Sequence, residues 1–442
     1  MTPPVTVAVS TLGCRLNQVE SQELIGLLER HGFRAVSADA PAQVYVVNTC
    51  TVTGRADFSD RQLIRRITRK NPEGLLVVTG CYAQTDPHGV ARIPGVDLVI
   101  GNQEKYRLPE LLASLVKRER PEVSVGDITR VRDVPAAPFP RVSGRSRAFV
   151  KIQDGCDHRC AFCIVPLARG GSRSRDPRVV LEQVEALVEA GYREITLTGV
   201  DIGHYGSDLV PRTSLAALVR RIVDTPRLRW LRLSSVLPAY FTPELIEVVT
   251  ETPHVAPHLH LPLQSGSDRV LRSMRRPYNA RLYRALVERL AGAISGLGLG
   301  TDLIVGHPGE RDEDFRATLD LVEELPFTYL HVFAYSDRKG TESSRLADRV
   351  PSPMIRERSR RLRDLGRVKN LLFRRRMVGA QREVLVLAEQ DRGTGRLRGL
   401  TSNYVEVVFD GPEDLAAGRF ARVRVTDATV RATTALLEEV VT

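Results

Sequence analysis

Three cysteines within eight residues, Cys156-Asp-His-Arg-Cys160-Ala-Phe-Cys163, constrain this chain more than any other stretch. Thiolates are soft ligands, suited to zinc or to an iron–sulfur cluster. A structural zinc takes four nitrogen or sulfur ligands, usually from paired short spacings. Here the spacing is C-x3-C-x2-C, and no fourth cysteine lies in the 150 residues downstream. His158 could be a fourth ligand, but inside the cysteine loop it is poorly placed for one. Three thiolates on a cube of four irons leave one iron open for another molecule. Zinc or disulfides are the alternatives.

This spacing resembles that of the radical S-adenosylmethionine (SAM) superfamily. The resemblance implies that the open iron chelates the amino and carboxylate groups of SAM, with Phe162 near the adenine.

The 442 residues, 42% hydrophobic and 26% charged, are ordinary for a soluble globular protein and suggest about three domains. The amino terminus has no basic segment followed by a long apolar one, so no signal peptide is expected. No apolar run approaches the ~20 residues that span a bilayer. Six cysteines without an export signal point to a reducing, cytoplasmic compartment, where metal binding or catalysis outweighs disulfides. A net charge of +11 favours a polyanionic partner such as nucleic acid. Abundant arginine alone is the bland alternative, since 58 arginines stand against six lysines.

Strands are expected at Val5–Thr11, Val44–Thr49, Leu75–Gly80 and Asp97–Gly101, with helices over 18–31 and 57–70. Near-continuous apolar strands alternating with helices imply a doubly wound parallel sheet. Cys14, Cys50 and Cys81 each follow a strand, at the carboxyl edge where such sheets bind ligands, so they can converge. Buried core cysteines are the alternative. The runs Gly13-Cys14-Arg-Leu-Asn17-Gln18, Asn48-Thr49-Cys50-Thr-Val-Thr53 and Thr79-Gly80-Cys81 resemble the amino-terminal domain of the methylthiotransferases, in which these cysteines hold a second four-iron cluster. Asn17, Asn48 and Thr51 then read as hydrogen-bonding residues behind the cysteines, or as plain turn and capping residues.

Residues 118–146, with four prolines and little periodicity, read as a connector. Strand–helix alternation then resumes, with strands at 148–152, 194–198, 230–234, 258–262, 301–305 and 329–333. Six β/α units suggest a partial, open-sided (β/α)6 barrel with its functional residues at the strand carboxyl ends. Those ends carry Gly199 and Asp201, Ser234 and Ser235, Gln264 with Ser265, Gly306 with His307, and Tyr335. By resemblance these positions line SAM and substrate; individually each could be ordinary loop chemistry. The glycine-rich loops are not phosphate loops, since no G-x4-G-K-[ST] occurs. His258 and His260 face one side of a strand, as interior groups or satisfied core histidines.

Residues 355–377 place ten basic side chains against two acidic ones. Arg374, Arg375 and Arg376 close this helix, read as a phosphate-contacting surface or a solvated face. Short strands follow at 382–387, 404–409, 419–425 and 429–436. A small all-β barrel of this kind commonly binds nucleic acid, and Thr401-Ser-Asn403-Tyr404 resembles the TRAM domain, an RNA-binding module.

The resemblance covers essentially the whole chain, as an α/β protein with domains at 1–125, 142–372 and 376–442. Thr11–Ser21 and Asn48–Thr53 look most like the MtaB type of methylthiotransferase, which adds a methylthio group to carbon 2 of N6-threonylcarbamoyladenosine at position 37 of tRNA. Arg15, Leu237, His307 and Ala334 depart from residues common in that family. The implied cofactors are two [4Fe-4S] clusters and SAM. One SAM methylates a held sulfur; another is cleaved to a radical that takes hydrogen from the base. The implied partners are tRNA, a flavodoxin- or ferredoxin-like reductant and a sulfur donor, with no membrane, acting as a monomer. Rival readings are the same chemistry on isopentenyladenosine or a ribosomal-protein aspartate, and a non-catalytic metal-bearing RNA-binding protein.

Overall fold

The computed structural model describes residues 3–114, 116–117, 120–135, 146–412 and 414–441. The expected domain boundary at 142, much of the connector including Pro138 and Pro140, and Thr442 lie outside the described residues.

In β3 (Val44–Thr49) every residue is buried. Val44 and Val46 pack on one face with Leu24 and Leu28 of α1 (Arg15–Arg30). Tyr45 and Val47 pack on the other with Ile64 and Ile67 of α2 (Gly54–Lys70). An apolar run without alternation thus becomes a strand covered on both faces. Around it lie β1 (Thr6–Thr11), β2 (Arg34–Val36), β4 (Leu75–Gly80), β5 (Leu98–Ile100) and β6 (Glu122–Ser124), in the order β2-β1-β3-β4-β5-β6. All pairs are parallel. The order reverses between β1 and β3, a topological switch point. β6 falls where the sequence reads as connector.

The central unit comprises β7 (Ala148–Lys151), β10 (Glu194–Thr198), β11 (Trp230–Leu233), β12 (His258–His260), β13 (Gly298–Val305) and β14 (Tyr329–Ala334), with a small antiparallel ribbon of β8 (Gln153–Asp154) and β9 (Arg173–Ser174). Two parallel triplets, β11-β10-β7 and β12-β13-β14, join through a Leu231–Val255 bridge. β7 and β14 remain edges, so the (β/α)6 barrel is open-sided.

The long helix Ser352–Arg375 runs beside β14. It leads to a closed barrel of β15 (Gln381–Val386), β16 (Leu397–Thr401), β17 (Glu406–Asp410), β18 (Phe420–Ala428) and β19 (Thr433–Val441). This barrel caps the amino-terminal end of the central strands. Tyr404 stacks on His258 at 4.3 Å, and Arg232 Nη1 donates to the Ser402 carbonyl at 2.8 Å. Thr401–Tyr404 is therefore a docking plug in this fold. No described helix is long and apolar enough to cross a membrane.

Candidate active site

Cys14 caps α1, Cys50 follows β3 and Cys81 opens the short helix after β4. The three converge beside the switch point. A Cβ on Gly13 would lie 2.5 Å from Cys50 Cβ, and Gly13 has φ +101°. A side chain there would both strain the backbone and displace the cysteine. Asn17 ties the loops together: its Nδ2 donates to the carbonyls of Leu12 at 2.8 Å and Thr49 at 2.9 Å. Asn48 donates to the Asn17 carbonyl and to Ser21 Oγ, both at 3.0 Å. The Cys50 N–H donates to Asp60 Oδ2 at 3.0 Å.

Cys50 and Cys81 are buried and Cys14 is exposed. Burial pushes the Cys50 thiol up to about 12, with Cys81, Cys14 and Asp60 adding repulsion. Burial also pushes Asp60 up to about 8. Burial raises Cys81 as well, opposed chiefly by Arg169.

In the second trio, Cys156 sits 3.9 Å from Asp201 Oδ2 through its Sγ. Tyr240 donates to Asp201 at 3.0 Å, and its hydroxyl meets His158 Nε2 at 2.8 Å. His158 Nε2 is thus engaged by Tyr240 and lies 3.5 Å from Asp201 Oδ2. Arg276 Nη1 donates to Cys160 Sγ at 3.1 Å. Burial raises Cys156 and Cys163, the latter to about 11.

A single zinc with sulfur ligands at 2.3 Å holds them about 3.8 Å apart. Among the described residues, neither trio brings its three sulfurs within 4.8 Å of one another. Three soft, wider-spaced thiols with no fourth cysteine fit a cluster better than one ion.

The two trios are linked by buried charge. Arg169 donates to Asn17 Oδ1 at 2.7 Å, to Glu20 at 2.8 and 3.0 Å, and to Asp154 at 3.0 Å. Lys105 and Lys151 also pair with Glu20, at 2.6 and 2.7 Å. A second tie is Arg338, whose Nη2 donates to Thr51 Oγ1 at 2.5 Å and Asp57 Oδ2 at 2.7 Å. A cavity of ≈220 Å³ lies between the sites, lined by Val52 and Thr53 from one, Phe162 and Cys163 from the other, and Gln264, Asp302 and Phe333.

Several expected residues take other places. The space above Gly199 is filled by Gln153, whose Oε1 accepts from the Val200 and Asp201 N–H groups at 3.0 and 2.8 Å. A Cβ on Gly306 would strike Ile355 of the long helix at 2.4 Å. Both glycines serve close packing. Ser234 Oγ is buried without a partner among the described residues, and Ser235 is exposed. Arg374 bonds Thr433 Oγ1 at 3.0 Å, and Arg375 and Arg376 are exposed. The helix meets Gly306 near the carboxyl end of β13 and Thr328 just before β14. Its three terminal arginines therefore lie at the end of the barrel opposite the cysteine loops. Arg169, Arg276 and Arg338 carried no signal in a chain rich in arginine.

A model of the radical SAM superfamily matches residues 150–322, one of the Uncharacterized protein family UPF0004 matches 6–101, and one of the TRAM domain matches 375–435. The chain is 38% identical to threonylcarbamoyladenosine tRNA methylthiotransferase MtaB of Bacillus subtilis (strain 168), covering 96% of this chain and 94% of that protein. Against the protein of the same name from Aquifex aeolicus (strain VF5) it is 36% identical, covering 94% and 99%. Against tRNA-2-methylthio-N(6)-dimethylallyladenosine synthase of Moorella thermoacetica it is 35% identical, covering 96% of each. The fold is similar to that of the radical S-adenosylmethionine methyltransferase TsrM from Kitasatospora setae, with cobalamin and a [4Fe-4S] cluster bound, at TM-score 0.57, 18% identity and 75% coverage of each chain.

Proposed function

The chain belongs to the radical SAM tRNA methylthiotransferases, and from that premise we propose that it adds a methylthio group to carbon 2 of N6-threonylcarbamoyladenosine at position 37 of tRNA. Cys156, Cys160 and Cys163 hold one [4Fe-4S] cluster, and Cys14, Cys50 and Cys81 a second. When bound, one cluster would supply reductive SAM cleavage and the other an open iron at which the sulfur to be transferred is held. The observation that carries this reading is the cavity between the trios, walled by residues adjoining Cys50 and by Cys163 itself. A base placed there is within reach of both.

Residues 1–125, 142–372 and 376–442 serve as cluster, radical and RNA-binding domains. Asp201, whose carboxylate meets Cys156 Sγ at 3.9 Å, and Phe162 on the cavity wall are assigned to SAM. The exposed Arg375 and Arg376 suit contacts to the body of a tRNA rather than to the reacting base. A flavodoxin- or ferredoxin-like reductant and a separate sulfur donor complete the system, and the protein works as a cytoplasmic monomer.

Anaerobic reconstitution tests the cluster assignment. Wild type is expected to bind about eight irons, and the Cys156/Cys160/Cys163→Ala variant about four, as two cysteine-ligated cubes require. Zinc, or four irons in wild type, would sink the two-cluster reading. Nucleoside analysis of tRNA from cells with and without the protein then tests the substrate.

A further inference from the structure

The interior of the central barrel carries polar residues that the cysteine chemistry leaves unused. Asp302 Oδ1 accepts from His260 Nε2 at 3.0 Å and from His331 Nδ1 at 3.1 Å. The Tyr329 hydroxyl lies between His260 Nδ1 at 3.0 Å and His258 Nε2 at 2.9 Å. One assignment satisfies every contact: His258 donates to Tyr329, Tyr329 to His260, and His260 to Asp302. His331 ends the chain. Its Nδ1–H is spent on Asp302, its Nε2 has no hydrogen-bond partner among the described residues, and its side chain is 55% exposed on the open edge strand.

A second unpaired group lies close by. Gln264 is 8% exposed, and its Oε1 has no hydrogen-bond partner among the described residues. It lines the ≈220 Å³ cavity together with Asp302 and Phe333. Phe333, 45% exposed and two residues along β14 from His331, offers a flat apolar face on which a purine can stack.

We propose that His331 and Gln264 bind the polar substituent on N6 of the substrate adenosine, a carbamoyl group that ends in a carboxylate and a hydroxyl. As an imidazolium with its Nδ1–H on Asp302, His331 donates its Nε2–H to a carboxylate or carbonyl oxygen, and Gln264 Oε1 accepts from a substituent N–H or O–H. Asp302 is the positioning residue that fixes the His331 ring. An apolar isopentenyl chain would leave the buried Gln264 Oε1 unpaired and give the exposed His331 nothing to bind, and an unpaired buried polar group is how polar pockets reject an analogue lacking the matching group. This rests on the substrate reading given above.

The test uses reconstituted full-length enzyme and three anticodon stem-loop RNAs, bearing threonylcarbamoyladenosine, isopentenyladenosine or plain adenosine at the target position. For His331→Ala, kcat/KM on the threonylcarbamoyl RNA is expected to fall roughly tenfold to hundredfold, as for one lost charge-assisted hydrogen bond. The affinity ratio between threonylcarbamoyl and plain RNA should collapse with it, and His331→Gln should restore part of both. Iron content and thermal midpoint verify that each variant is folded. Unchanged values for both variants overturn the inference and leave the substrate reading standing. Wild type that modifies only the isopentenyl RNA overturns the substrate reading itself. Stoichiometric zinc, manganese or extra iron in wild type that is lost in His331→Ala assigns the histidines and Asp302 to a metal and also overturns the inference.

Discussion

Arg276 reaches a proposed cluster ligand directly. It is half-buried, its Nη1 donates to Cys160 Sγ, and Tyr278 accepts from its Nε at 3.0 Å. A guanidinium beside a ligating sulfur favours the more negative, reduced form of a cluster and so raises its potential. Arg276→Met is therefore expected to lower the midpoint potential of that cluster by tens of millivolts; about 59 mV corresponds to a tenfold change for one electron. Anaerobic titration followed by electron paramagnetic resonance measures this, and an unchanged or raised potential would refute it. The cysteines were legible because their chemistry imposes spacing and placement at strand ends. Arg276 was not, since its role comes from where the chain turns back after β12.

Among elements, the loop between β1 and α1 shows how little freedom the first trio has. Gly13 presses against Cys50 with positive φ, and Asn17 pins the same loop one helical turn later. Gly13→Ala is expected to cost roughly 1–2 kcal/mol in backbone strain alone. It should also displace Cys50, so that iron falls from about eight toward about four while the Cys156–Cys163 cluster remains. Full iron content in this variant would mean that the loop tolerates the side chain.

Most strands and helices could be read from the sequence, because burial on both faces of the sheet and on one face of each helix leaves a period. Five strands could not: β2, β8 and β9 are only two or three residues long, and the other two show further causes. β6 is a three-residue edge, Glu-Val-Ser, held by backbone pairing to β5 with no apolar run to mark it. β16 contains Gly399, which resembles turn chemistry; a Cβ there would meet Val384 and Phe409 at 2.8 and 3.0 Å, so the glycine makes room for the barrel core. The Thr401–Tyr404 pattern was visible, but its docking against His258 and Arg232 depends on distant strands.

At the scale of the molecule, the carboxyl edge of the six-stranded sheet faces that of the central barrel, and sulfur transfer needs both edges held at a fixed separation. Two ties hold them. One is the buried network on Glu20, where Arg169 spans Asn17 and Asp154. Removing a charge there should be strongly destabilising, because its partners would be left buried and unpaired. The other is Arg338, which reaches from the loop after β14 to Thr51 and Asp57 beside Cys50, next to a Gly54 N–H···Ser336 Oγ bond of 3.0 Å. Arg338 and Asp57 are each 13% exposed, less deeply buried than the Glu20 network, so the loss of Arg338 should loosen the cavity without unfolding either unit. In Arg338→Ala, SAM cleavage is expected to continue while methylthio transfer falls, raising the ratio of 5′-deoxyadenosine to modified nucleoside by roughly tenfold or more, since misplacement of about 1 Å can cost up to 10²-fold. Parallel loss of both activities would instead mean that Arg338 supports the radical step itself. An unchanged ratio would leave the Glu20 network sufficient to set the separation alone.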